Sequence, residues 1–439
     1  MAIKINWKDL AKRMINWQEV EKVMLNGSQI RPDIIPPTPV VDYLCFTANT
    51  ANSTIALNKQ YNAKEVELEI SYDKTTWIDY NWTNNSWDII TLNNIWDKIY
   101  FRNKSETVTD LSSPTYYWVR RYTFAMTWSI SASGDINTLL CKYSTTTLPQ
   151  PISWQYWGSN TFVSLFENCT SLTTAPSLPA TTLNTSCYNS MFKWCTNLIS
   201  APNLPSLYVP YKWYRDMFWW CSSLISTPSI IATSCDDYSL SGMFYGCTSL
   251  TTANITLPSL LSWPSNFNSM FMWCTSLVTA PLLPATTLTD SCYGWMFYNC
   301  TNLITPPLLP ATTLAPGCYG EMFYNCTHLT TAPSLPATTL AQQCYNSMFK
   351  FCYELTSLPS LPATTLAQWC YYDMFNGCSL IKLSDTQIWD YQTSYRIPTT
   401  WTWTEATNSI KDMFKYTWWT FTGTPTINTT YYTSNPVIS

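Results

Sequence analysis

Cysteine offers this chain more chemistry than any other residue type. Fifteen of the 17 cysteines lie between Cys169 and Cys378. Nine keep one beat: Cys169, Cys195, Cys221, Cys247, Cys274, Cys300, Cys326, Cys352 and Cys378. Five more, Cys187, Cys292, Cys318, Cys344 and Cys370, each stand eight residues before a member of that set, and Cys235 is off both beats. Zinc sites want cysteine pairs about two to four residues apart, or histidine partners. The pairs here are too widely spaced, and His328 is the only histidine. Disulfides stay open, because stacked copies bring Cα atoms into bonding range. A set of nine cannot pair off completely, however, and Cys221 and Cys274 persist where the earlier cysteine is missing. Unpaired cysteine packs as a small buried hydrophobe. The expectation is therefore a structural ladder of thiols through Cys195, Cys221, Cys247, Cys274, Cys300, Cys326, Cys352 and Cys378.

Little else is arranged for catalysis. His328 stands where sister copies carry serine in Cys-Thr-Ser-Leu, which marks a surface variant rather than a base. Asp236-Asp237 is a carboxylate pair in an irregular copy and reads as an exposed loop. There is no glycine-rich phosphate loop and no Gly-x-Ser-x-Gly. Asn168-Cys-Thr, Asn299-Cys-Thr and Asn325-Cys-Thr match the glycan-acceptor pattern but fall at a tight turn. The expectation is a protein that is not an enzyme and carries no cofactor or metal; an enzyme would need a pocket within 41–143.

What must position these side chains is a repeat. One phrase returns from Thr161 to Leu380: Cys-Tyr-x-x-Met-Phe-x-x-Cys-Thr-x-Leu-x-x-x-Pro-x-Leu-Pro-Ala-Thr-Thr-Leu. Its Met-Phe pairs start at Met191, Met217, Met243, Met270, Met296, Met322, Met348 and Met374, after a variant at Leu165-Phe166. The step is 26 residues, with a single 27. A fixed period of this size predicts a solenoid. Each copy has too few apolar residues to close a core alone, so stacking must bury the Met, Phe, Cys and Leu columns. Tyr319, Met322 and Phe323 stand at i, i+3 and i+4, which predicts a short helical turn. Leu-x-x-x-Pro-x-Leu-Pro predicts a short extended rung, because proline breaks helices and keeps pairing short.

Phe-x-x-Cys-Thr-x-Leu followed by Pro-x-Leu-Pro resembles the BspA-like leucine-rich repeat, in which Ala-Phe-x-x-Cys-x-x-Leu precedes a short strand. The resemblance covers about half of the chain and recurs nine times. The longer period, Met for Ala and the Ala-Thr-Thr-Leu segment depart from the family. What the resemblance implies is a bacterial surface protein, or a phage protein of similar make, that binds proteins or host surfaces.

Composition narrows the field further. Charged residues make up 11% and the formal net charge is −4. The longest basic cluster is Arg120-Arg121, so a nucleic-acid footprint is missing. No run of about 18 apolar residues predicts a membrane helix, and Met1 to Leu10 lacks the apolar core of a signal peptide. An uncharged surface rich in Thr, Asn, Tyr and Trp points to an extracellular, cell-surface or virion protein. Glycine is scarce, at 10 residues, while tryptophan reaches 23. Trp194, Trp220 and Trp273 precede the repeat cysteine where other copies carry Gly246 and Gly377. Two explanations stand: real tryptophans kept for a ligand, or a reassigned stop codon written here as tryptophan and read as glycine in the host.

In chain order, 1–34 forms an N-terminal hairpin or attachment unit, with loose helical spacing at Leu10, Met14 and Ile15 and an Asn26-Gly27 turn signal. A proline-rich linker, 35–40, follows. Residues 41–143 predict an antiparallel β-sandwich from several short alternating runs, among them Val66 to Tyr72, two strands around Asn84-Asn85, Lys98 to Arg102 and Tyr117 to Met126. The BspA-like solenoid occupies 144–380, beginning with an interrupted copy, and a degenerate repeat with Met413-Phe414 and a C-terminal cap occupies 381–439. The fold class is thus mostly β with short helical turns.

Core columns recur, whereas a ligand face varies. The positions around Met-Phe vary most, and stacking would align them into a candidate binding stripe: Lys193, Trp194, Arg215, Trp219, Trp220, Trp273, Trp295, Tyr298, Tyr324, Lys350, Phe351 and Tyr372. Tyrosine and tryptophan give large contact area at low entropic cost. The expected partner is a protein or carbohydrate on a host or partner cell surface, with no nucleic acid and no membrane span. The alternative is a spacer or fibre component in which the array only sets length.

Overall fold

The computed structural model describes residues 41–59, 67–80, 88–106, 122–140, 161–182, 186–399, 405–418 and 420–439, together with two short strands nearer the N-terminus. Those strands, β1 (Val23–Leu25) and β2 (Ser28–Ile30), pair antiparallel with Leu25 opposite Ser28. They belong to a unit of their own, Met1–Asp42, separate from Tyr43–Ser439. The helical spacing read at Leu10 to Ile15, the proline-rich linker, the Asn84-Asn85 turn and the interrupted copy at 144–160 lie outside the described residues.

The larger unit opens with eight strands: β3 (Leu44–Ala48), β4 (Ser53–Lys59), β5 (Leu68–Ser71), β6 (Ile78–Tyr80), β7 (Ile90–Leu92), β8 (Lys98–Asn103), β9 (Tyr122–Thr127) and β10 (Ile130–Ser133). β8 shows the period-two burial of a half-buried strand, with Ile99, Phe101 and Asn103 inward. A six-stranded sheet runs β11-β10-β3-β8-β5-β6, where β11 (Leu172–Thr174) already belongs to the first repeat copy. A three-stranded sheet runs β7-β4-β9. Phe46 on β3 and Phe101 on β8 meet Phe124 on β9 edge to face, at 4.9 and 5.7 Å, so the two sheets share a core. The strands on either side of Asn84-Asn85 do not pair with each other. β6 joins β5, while β7 joins β4 in the other sheet.

From Thr161 onward the same contacts return once per copy. The phenylalanines of successive copies stack face to face. Eleven rings, from Phe124 through Phe166 and Phe375 to Phe414, lie 5.2–5.8 Å apart with planes within 1–15°. Tyr293, Tyr319, Tyr345 and Tyr371 form a second, shorter stack. Isolated parallel bridges link Thr174, Ser200, Ser226, Thr252, Thr279 and Thr305 in turn. Three two-residue strands, β12 (Tyr208–Val209), β13 (Ser234–Cys235) and β14 (Leu260–Leu261), add a parallel sheet on another side. Extended pairing stays this short because each copy's prolines lack the N–H that a longer ladder needs.

The expected helical turn is corrected by the structure. Among the described residues, Ile136–Leu139 is the one helical element, a single 3-10 turn outside the repeats. The Cys-Tyr-x-x-Met-Phe-x-x-Cys segment is instead a chain of turns. In the copy at Met191, the N–H groups of Met191, Lys193 and Cys195 reach back three residues, to Tyr188, Ser190 and Phe192. Those of Ser190, Phe192 and Trp194 donate to Arg215, Met217 and Trp219 of the next copy. Ser186, Ser190 and Trp194, every fourth residue, are left-handed, and a right-handed helix cannot pass through them. The spacing of Tyr188, Met191, Phe192 and Cys195 correctly marks the inward side chains. Half of the backbone donors, however, are satisfied between copies rather than within one.

The last copies close differently. β15 (Leu358–Pro359) receives a parallel partner from the far end of the chain, β19 (Val437–Ile438). β16 (Leu383–Ser384), β17 (Thr393–Arg396) and β18 (Thr430–Thr433) form an antiparallel sheet in the order β16-β18-β17. The degenerate copy keeps the stacking role: Phe375 N–H donates to Met413, and Phe414 stacks on Phe375 at 5.5 Å. Phe421 then meets Phe414 edge on, and Phe414 exchanges two backbone hydrogen bonds with Gly423.

Candidate functional site

The cysteines are positioned by the turn chain. All 16 described cysteines are buried. In the nine-member column the Sγ of each member after Cys169 donates to the carbonyl of the phenylalanine one copy earlier. The bonds run from Cys195 to Phe166, Cys221 to Phe192, and so on to Cys378 and Phe349, at 2.9–3.2 Å. That carbonyl also accepts the N–H of its own copy's cysteine. The thiol thus fills core volume and donates to an internal acceptor, which valine or alanine cannot do. Burial raises the pKa values of Cys195, Cys247, Cys300, Cys326 and Cys352 well above the ordinary thiol value. In the second column it pushes Cys292 and Cys344 up to about 12. A thiol held neutral in this way is a poor nucleophile. Asn266, which replaces a cysteine of the second column, donates to Cys235 Sγ at 3.2 Å.

Nine of the twelve candidate stripe residues fall into two adjacent columns, and Arg215, Trp295 and Tyr372 stand outside them. One residue before the repeat cysteine stand Trp194, Trp220, Trp273 and Phe351; two before it stand Lys193, Trp219, Tyr298, Tyr324 and Lys350. Trp194 stacks on Trp220 at 5.6 Å, and Trp219 on Tyr245 at 4.0 Å with the Lys193 ammonium 5.0 Å from the Trp219 ring. Further along, Tyr298 stacks on Tyr324 at 4.4 Å, and Tyr324 meets Phe351 edge on. Lys350 donates to the Asp373 carboxylate at 2.7 Å. Met272 and Trp273 separate the two patches. Trp194, Trp273 and Trp295 are about two-fifths exposed, at 38%, 40% and 39%. Arg215 is 3.4 Å from Asp216 and 5.5 Å from the Tyr238 ring, and Tyr372 is half-buried.

The sequence reading missed a second exposed row. Ile199, Ile225, Val278 and Ile304 each follow the buried leucine of their copy and are 48%, 53%, 39% and 47% exposed. Their N–H groups donate to the preceding copy, to Thr173, Ile199, Thr251 and Val278. The row thus lines the backbone ladder with apolar side chains facing out. A β-branched residue four places after eight of the nine repeat cysteines, all but Cys378, was the available signal.

The remaining chemistry is sparse. His328 Nδ1 lies 2.7 Å from the Thr301 carbonyl and the ring is solvent-facing. Asp236 accepts a hydrogen bond from the Tyr208 hydroxyl. An open depression of about 450 Å³, lined by Ser133, Gly134, Pro176, Pro202, Asn203 and Pro205 among others, holds no titratable side chain. Among the described residues no three His, Cys, Asp or Glu side chains converge as a metal site would need. No helix there is long and apolar enough to cross a membrane. No protein-family model matches the chain, and no curated protein is similar enough in sequence to count as a relative.

Proposed function

We propose that this is a non-enzymatic recognition protein displayed on a cell surface or virion. In this reading the repeats form a leucine-rich-repeat-type solenoid of the BspA-like kind, and the first eight large-unit strands form a small β-sandwich that closes its first rung. The observation that supports it is the set of exposed side chains the fold repeats without using them in its core. Ile199, Ile225, Val278 and Ile304 face out along the ladder; Tyr245, Tyr298 and Tyr324 line the turn edge. Rows of exposed apolar and half-buried aromatic groups suit a protein or a carbohydrate on a host or partner cell. The test is a glycan array together with binding to intact candidate cells. Tyr298→Ser with Tyr324→Ser, or Ile225→Ser with Val278→Ser, is expected to reduce binding at least tenfold with the melting temperature little changed. Binding to no glycan, cell or surface overturns the reading.

A spacer or fibre component is the second reading, favoured by the way the edge rings spend their faces on one another, as in Tyr298 on Tyr324. It requires that the same substitutions leave function intact, while removal of residues 1–34 blocks incorporation into the assembly.

A further inference from the structure

We infer that glycine stands at Trp96, Trp128, Trp194, Trp220 and Trp273 in the organism that makes this protein, encoded by a reassigned stop codon written here as tryptophan. The backbone carries the inference. Seven of the 13 described tryptophans have positive φ: Trp96, Trp128, Trp194, Trp220, Trp273, Trp295 and Trp369. Only two of the 24 described tyrosines and two of the 17 phenylalanines do. A Cβ in that region crowds the neighbouring carbonyl, and a bulky residue there is an outlier. A fold that simply tolerated aromatic rings at such turns would raise all three types together, but only tryptophan is raised.

The positions are themselves glycine-like. Trp194, Trp220 and Trp273 share their column with Asn168, Gly246, Asn299, Asn325 and Gly377, all at φ between 56° and 80°. Glycine and asparagine are the residues that visit this region most readily. Phe351, at φ 63°, shows that the column admits a ring, so the argument rests on the residue type across the chain and not on one column. Trp96 and Trp128 lie outside the repeats, in the turns before β8 and β10, at φ 75° and 60°. They are 73% and 67% exposed, so little packing offsets the strained backbone. Trp295 and Trp369 are left out, because their columns otherwise hold mostly serine, aspartate, lysine or glutamine at similar φ.

One codon read as tryptophan in one code and glycine in another reduces both anomalies of composition, 23 tryptophans and 10 glycines, since five such replacements leave 18 and 15. The inference does not rest on the proposed function, but it redraws the candidate stripe. Trp194, Trp220 and Trp273 leave it, and Tyr298 and Tyr324 with Lys193 and Lys350 are among the residues that remain. Peptide mass spectrometry of the protein isolated from its natural source decides the matter. The expected result is the residue mass of glycine at all five positions. Tryptophan, or any residue other than glycine, at even one of them overturns the inference.

Discussion

The ring of Phe124 stacks on the ring of Phe166 at 5.2 Å and 15°, the geometry that joins every repeat phenylalanine to the next. The substitution extends to the backbone. Phe124 N–H donates to Leu165 as Phe166 N–H donates to Met191, and Cys169 Sγ donates to the Phe124 carbonyl as Cys195 Sγ donates to that of Phe166. A residue on β9, outside the periodic sequence, thus takes the place of a preceding copy. β10 also pairs in parallel with β11, so the strands before the repeats meet the first copy through backbone as well as ring.

Phe124→Ala should therefore destabilise more than loss of one ring on the rim of a sheet would. The expected cost is about 3–5 kcal/mol, typical of a buried phenylalanine truncation. Urea unfolding measures it. A change below about 0.5 kcal/mol, the range of ordinary surface substitutions, contradicts the capping role.

The buried thiols should be silent in the native state. An aromatic disulfide reagent is expected to titrate almost none of the 16 described cysteines before denaturation and all of them after it. Rapid reaction of several native thiols, or a disulfide in non-reducing peptide maps, contradicts the ladder.

Alkali should unfold the protein early. Burial raises the thiol pKa values in the fold, so the native state holds protons that the unfolded chain releases above about pH 8.5. This contribution is fully present below that pH and is lost as pH climbs toward the folded values, about 12 for Cys292 and Cys344. Each thiol costs about 1.4 kcal/mol per pH unit in that window. Buried Tyr319 and Tyr345, raised for the same reason, steepen the loss above about pH 10. Melting temperature under reducing conditions should fall steeply from about pH 8.5 to 10; a flat profile sinks the claim.

Copy number should be adjustable in whole periods. Deleting 301–326, one period of 26 residues, joins Cys300 to Thr327 and keeps every column in register. The shortened protein is expected to keep its far-ultraviolet spectrum and unfold cooperatively with a smaller denaturant dependence. Deleting half that length should abolish folding, since it sets core columns against exterior ones. Equal tolerance of both deletions argues against stacked registration.

Much of the core was legible in the sequence. The period, and the inward columns of Met, Phe, Cys and Leu, follow from the recurrence of residue types at fixed spacing; Met322, Phe323, Cys326 and Leu329 are all fully buried. That the column could not be wholly disulfide-bonded followed from counting, because nine residues cannot pair off completely. The outward row of Ile199, Ile225, Val278 and Ile304 was harder to see, since an apolar residue next to a buried leucine looks like more core.

Sequence alone therefore determined which side chains stack, because periodicity is a property of residue types. Tertiary structure decided what the backbone between them does. Tyr188, Met191, Phe192 and Cys195 have helical spacing, yet Phe192 N–H finds its acceptor on Met217, a partner that exists only once two copies are stacked. The same holds for Phe124: nothing in its local sequence marks it as the missing first phenylalanine, and only the folding of β9 against Leu165 puts it there.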